Sequence, residues 1–166
     1  MPCKRLRSKL LPTASRARTG FTLIEMLAVM VIIGMLLGIV TPRLQQLLKG
    51  IRVTQAISDI TVIEQDVIAF SAVYDSLPQN LAAVGRGGMV DPWGHPYRYL
   101  AMTYDKNGNP PGGVRMDRSL HPLNSDFDLY SVGEDGATAL PLTAKASQDD
   151  IVRANDGGFV GLARLY

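Results

Sequence analysis

Cysteine is almost missing from this chain. The one residue, Cys3, lies in the N-terminal segment, so the rest has no partner for a disulfide and its fold needs another staple. Histidine is nearly as scarce. His95 and His121 each stand beside a proline, without the paired spacing of a zinc site. No nucleophile elbow, phosphate-binding loop or dinucleotide fingerprint occurs, and without such a constellation an enzyme is not the expected reading. Acidic residues are missing from the first 20 positions, which carry Lys4, Arg5, Arg7, Lys9, Arg16 and Arg18. Those are six of the 17 Lys and Arg residues, leaving 11 against 15 Asp and Glu, so the chain from Phe21 onward is about four charges negative. The basic charge therefore sits in one terminal segment, and the remainder has no basic patch interleaved with aromatics to recognise nucleic acid.

What the sequence does have is one long apolar run. Residues 21–42, FTLIEMLAVMVIIGMLLGIVTP, contain a single charge, Glu25. At about 1.5 Å per residue such a helix spans roughly 33 Å, enough for a bilayer core. The basic flank predicts that the N-terminus stays cytoplasmic and the remainder lies on the outer face. A secretory signal peptide is a poor description, because its cleavage site follows the apolar stretch, whereas here the helical pattern continues past Thr41-Pro42-Arg43. A lipoprotein does not fit either, since Cys3 precedes the stretch.

A plain single-pass anchor does not explain Glu25. A carboxylate in an apolar span costs about 2.5–3.5 kcal/mol at the bilayer centre and less near an edge, so it points to a partner. Cleavage after Gly20 creates an amine on Phe21, one helical turn from Glu25. Staggered neighbours then pair amine with carboxylate, and a charge that is costly in one subunit favours assembly. Gly20-Phe21-Thr22-Leu23-Ile24-Glu25, with its basic leader and apolar helix, resembles the class III prepilin signature. The resemblance implies a prepilin peptidase that cuts after Gly20 and methylates Phe21. At 20 residues the leader is longer than the shortest in that family.

Beyond Pro42, which is expected to bend the helix or remove one of its hydrogen bonds, the pattern turns amphipathic. Val53, Ala56, Ile57, Ile60, Ile63, Val67, Phe70 and Tyr74 recur at three- and four-residue spacing and predict a core-facing stripe. The helix is expected to stop near Ser76-Leu77-Pro78. The segments are thus 1–20 leader, 21–42 membrane helix, 43–77 amphipathic continuation and 78–166 a small β domain. Tyr97–Met102, Phe127–Val132 and Phe159–Leu165 are the expected strands, and 106–113 a loop. The fold class is α+β: a long helix packed on a small antiparallel sheet, pilin-like.

Two later segments narrow the family. Asp91-Pro92-Trp93-Gly94-His95-Pro96-Tyr97 resembles the DPWGxPY motif of the major, G-type pseudopilin of type II secretion systems, and Asp126 to Gly136 (DFDLYSVGEDG) resembles its strand-and-loop segment. By itself the first is a turn with a packed Trp. The paired Asp126 and Asp128 are expected to mark one solvated strand face. Asp135-Gly136 opens an acidic loop that Ser147-Gln148-Asp149-Asp150-Ile151 closes, and calcium takes six to eight hard oxygens from such loops. The resemblance implies calcium held by the Val132 carbonyl, Asp135 and Asp150, with Asp149 as an alternate. Without a metal the loop reads as an acidic turn in which Asp150 caps a short helix starting at Ile151. The chain departs from the family in a Leu/Thr/Ala-rich loop at 137–148 and a longer tail at 153–166, either of which alters the ligands or adds a strand.

The function implied is a structural subunit of a type II secretion pseudopilus, which moves folded proteins across the outer membrane. The alternative is a type IV pilus subunit serving adhesion, motility or DNA uptake. The implied partners are copies of the chain itself, minor pseudopilins, the prepilin peptidase, an inner-membrane platform with its ATPase, and an outer-membrane secretin. The implied location is the inner membrane, single-pass, with the C-terminal domain and filament in the periplasm.

Overall fold

The computed structural model describes residues 20–166. The leader before Gly20, with Cys3 and its basic residues, lies outside them. The chain divides into two compact units between Arg43 and Leu44. In the first, helix α1 (Leu23–Tyr74) begins, and every described residue is exposed. This helix is long and apolar enough to cross a membrane. Leu23, Ile24 and Met30 are 82%, 76% and 72% exposed, so the apolar surface here is uncovered among the described residues. α1 continues through Pro42, where Thr41 Oγ1 donates to Leu37 O at 2.7 Å.

In the second unit the amphipathic stripe behaves as its spacing predicts. Ala56, Ile60, Ile63 and Val67 are fully buried, with Val53 and Ile57 packed at the edge of the same cluster. The stripe ends sooner than expected. Tyr74 is 64% exposed and stacks on Phe70 with ring centroids 4.4 Å apart. The helix stops at Tyr74 because Asp75 turns left-handed, at φ 51°.

The sheet is a simple antiparallel meander of β1 (Arg98–Ala101), β2 (Phe127–Ser131), β3 (Ile151–Ala154) and β4 (Phe159–Leu162). Tyr99 faces Leu129 across β1–β2, Tyr130 faces Val152 across β2–β3, and Arg153 faces Val160 across β3–β4. β3 corrects one expectation: Ile151 starts a strand, not a short helix capped by Asp150. The β3–β4 hairpin turns on Asn155-Asp156-Gly157-Gly158: Gly158 N donates to Asn155 O (2.9 Å), and the two residues between them, Asp156 and Gly157, are both at positive φ, as a type I′ turn needs.

Both faces of the central strands are covered. Phe127, Leu129 and Ile151 join the α1 stripe on one side. Tyr130, Val152 and Ala154 join Leu123, Leu142 and Ala163 on the other. This second layer comes from the segments around 114–124 and 140–148, tied by Met116 N to Leu140 O (3.1 Å) and Leu142 N to Met116 O (2.9 Å). Asp128 is therefore buried, not solvated as its alternation with Asp126 suggested.

Candidate functional site

At the start of α1, Thr22 and Glu25 form a reciprocal cap. Glu25 N donates to Thr22 Oγ1 and Thr22 N donates to Glu25 Oε2, both at 3.3 Å. This is a capping box, Thr-x-x-Glu, which satisfies two amides that a helix start leaves open. Gly20 and Phe21 precede it, and Phe21 is 76% exposed. Glu25 thus has a backbone task inside its own chain, one that the Thr-x-x-Glu spacing itself signals.

The Trp-containing turn is organised by Asp91, which is 4% exposed. Its carboxylate accepts from Trp93 N (3.0 Å), His95 N (2.8 Å) and Ser131 Oγ (2.5 Å), and Gly94 takes φ 96° to close the turn. His95 Nδ1 lies 3.1 Å from Gly133 O, which joins this turn to the loop after β2. Tyr97 donates to Asp59 of α1 at 2.9 Å; burial, then that bond, pushes its hydroxyl far above the usual range.

In the acidic loop, Gly133 stands at φ 69° against Asp149, whose Oδ2 would lie 2.6 Å from any Cβ there. Asp135 N donates to the same Asp149 oxygen (3.0 Å), while the exposed Asp135 carboxylate accepts from Ala137 N (2.8 Å). Val132 is buried beside them. So the fold brings Val132, Asp135 and Asp149 into one neighbourhood. Asp150 has other partners. Its Oδ2 accepts from Arg115 Nη2 and from Thr138 Oγ1, each at 2.6 Å, and both ionic side chains are essentially inaccessible. Burial pushes the Asp150 carboxyl above the usual range, against the opposing pull of Thr138 and Arg115. Asp150 is thus paired with a guanidinium, while Asp149 and Asp135 are engaged by the loop amides of Asp135 and Ala137. Among the described residues no group of three or more His, Cys, Asp and Glu side chains converges.

Two arginines that carry no motif organise the rest. Arg153 donates to Glu64 Oε1 of α1 and to both carboxylate oxygens of Asp126, all at 2.7 Å, with its guanidinium 4.0 Å above the Phe127 ring. Burial lowers its pKa, but Asp126 and Glu64 outweigh that and leave it raised. Arg115 donates its backbone N–H to buried Asp128 (2.6 Å), which also accepts from Asn124 Nδ2 (2.8 Å). Burial nevertheless raises the Asp128 carboxyl. Neither arginine was identifiable in sequence, because each pairs across 27 residues or more.

Residues 15–41 match the family model described as the prokaryotic N-terminal methylation motif. The chain is similar to the type II secretion system core protein G of Pseudomonas aeruginosa, 32% identical over 142 residues, covering 73% of this chain and 87% of that one. It is 31% identical to the protein of the same name from Vibrio cholerae, over 73% of this chain and 84% of that one. The Escherichia coli protein is 29% identical, over 83% and 92% respectively. No solved structure matches.

Proposed function

From the premise that this chain belongs to the type II secretion system core protein G family, the major pseudopilins, we propose how its parts serve a filament. The chain is a structural subunit of the type II secretion pseudopilus, anchored through its N-terminal apolar helix. The observation that carries this reading is the pairing of a prepilin motif with a helix start whose apolar side chains are all exposed. Lipid covers such a surface before assembly, and neighbouring helices cover it afterwards. That arrangement supports a structural rather than a catalytic role.

In this reading the peptidase cuts between Gly20 and Phe21 and methylates the Phe21 amine. Glu25 then gives up its bond to Thr22 N for the amine of a neighbouring subunit. Two buried charges are neutralised by one contact, which sets the stagger between subunits. The C-terminal domain lies in the periplasm of a cell whose inner membrane holds the helix. The platform with its ATPase extracts subunits, minor pseudopilins accompany them, and the secretin receives the exported protein.

The experiment is a clean deletion scored for secreted proteins in the medium and for surface fibres by electron microscopy. Exoproteins held in the periplasm, with surface pili intact, are the expected result. Normal secretion with lost fibres would assign the chain to a type IV pilus instead.

A further inference from the structure

The acidic loop is arranged around a cation, and that cation belongs to the chain itself. We propose that Arg115 is the resident cation of the 135–150 loop, holding Asp150, Thr138 and the Ala139 carbonyl in place without a bound calcium ion. This inference does not rest on which filament the subunit joins.

The oxygens around the guanidinium make the case. Arg115 Nη1 donates to Thr138 Oγ1 (2.5 Å) and to Ala139 O (2.7 Å), and Nη2 donates to Asp150 Oδ2 (2.6 Å). A carboxylate, a hydroxyl and a backbone carbonyl from one flexible loop are the donor types a hard divalent ion would collect. Here a planar cation collects them, and its positive charge faces Asp150, the buried carboxylate of the loop. A second cation at the same oxygens would lie beside a fixed positive charge in a water-excluded place, where repulsion is strong.

The guanidinium is held from several directions. Tyr130 of β2 stacks beneath it, with the Arg115 Cζ 4.4 Å from the ring centroid. Its backbone N–H is fixed on Asp128, and the neighbouring Met116 is bonded on both sides to Leu140 and Leu142. The loop closes on itself through Ser147 Oγ, which accepts from Ala139 N (3.0 Å) and donates to Ala139 O (2.8 Å). Of three buried polar side-chain atoms without a partner among the described residues, two are Arg115 Nε and Asp150 Oδ1. They are the donor and acceptor that a forked pair would bring together, so the unused bonding capacity at this point lies on the two partners of the ion pair. The other two acidic side chains are engaged by the loop's own amides, Asp149 by Asp135 N and Asp135 by Ala137 N.

The test uses the full chain in detergent micelles, stripped of metal with chelator. Urea unfolding is followed through Trp93, the only tryptophan, in EDTA and in calcium chloride. Limited trypsin cleavage after exposed Lys145 reports opening of the loop. The expected result is one urea midpoint for the wild type in both solutions. Arg115→Gln should speed cleavage at Lys145 on the order of a hundredfold, since loss of a buried ionic partner raises the open population. A wild-type midpoint that rises with calcium would overturn the proposal, and that measurement stands even where Arg115→Gln fails to fold. Unchanged cleavage at Lys145 in a folded Arg115→Gln would overturn it equally.

Discussion

Replacing Arg153 by methionine removes the guanidinium that joins α1 to the sheet while keeping most of the aliphatic stem on Phe127. The loss is four hydrogen bonds: one to Glu64, two to Asp126 and one to Phe127 O at 3.1 Å. What matters most is the state of the carboxylates left behind. Removing one partner of a buried ion pair typically costs about 3–5 kcal/mol. Asp126 is 34% exposed and regains water, whereas Glu64 is 12% exposed and regains little, so the lower end applies. A loss of about 3 kcal/mol is a large share of a small domain's stability and lowers its Tm by roughly 10 °C. Thermal unfolding of the full chain in detergent, read through Trp93 fluorescence, measures it. The double variant with Glu64→Gln should lose less than the sum of the two single changes, because both remove the same contact. A drop below about 1 kcal/mol in Arg153→Met would refute the claim that this ion cluster holds helix to sheet.

Gly20→Leu is expected to leave the leader attached, and mass spectrometry of the N-terminus reads this directly. Glu25→Ala should be processed normally yet reduce filament yield at least about tenfold, the equivalent of about 1.4 kcal/mol per contact; normal yield would sink the pairing argument. At Asp156, burial tends to raise the carboxyl, but hydrogen bonds from Ser125 N and Oγ (2.6 and 2.8 Å) outweigh it and leave the pKa lowered. Its contribution to stability is therefore complete above the ordinary carboxylate pKa of about 3.9 and fades as pH falls through the lower folded value. Asp156→Asn, which tolerates the same positive φ, should be less stable than wild type at pH 7, with the gap closing below about pH 4 in urea titrations. A gap independent of pH would show that the charge is not the source.

The α1 stripe was legible because one helix face meets one core, so Ala56, Ile60, Ile63 and Val67 recur at helical spacing. β1, β2 and β4 were legible from aromatic and branched runs. β3 was not. Both its faces are buried, so Ile151-Val152-Arg153-Ala154 shows no alternation, and the two acids before it imitate a helix cap. The Asn-Asp-Gly-Gly turn after it was the signal that could have found it. Asp128 was misplaced for the same reason, since alternation implies a wet face only when one face is wet. At the N-terminus the Gly20–Glu25 reading needed only contiguous residues. The loop cation needed Arg115 and Asp150, which are 35 positions apart and joined only by the fold.

A sheet covered on both sides is also a sheet that checks its own pairing twice. Shifting β2 by one residue would turn Asp128 toward Ile60 and Ile63, and Phe127 toward Asn124 and the backbone of Arg115. In a sheet with one wet face, such a slip is opposed by one layer only. Here each layer rejects it independently, the helix side by excluding a charge and the loop side by leaving donors unanswered. Few misaligned forms of this subunit can therefore compete with the native one, which suits a protein that must present identical copies to a growing polymer.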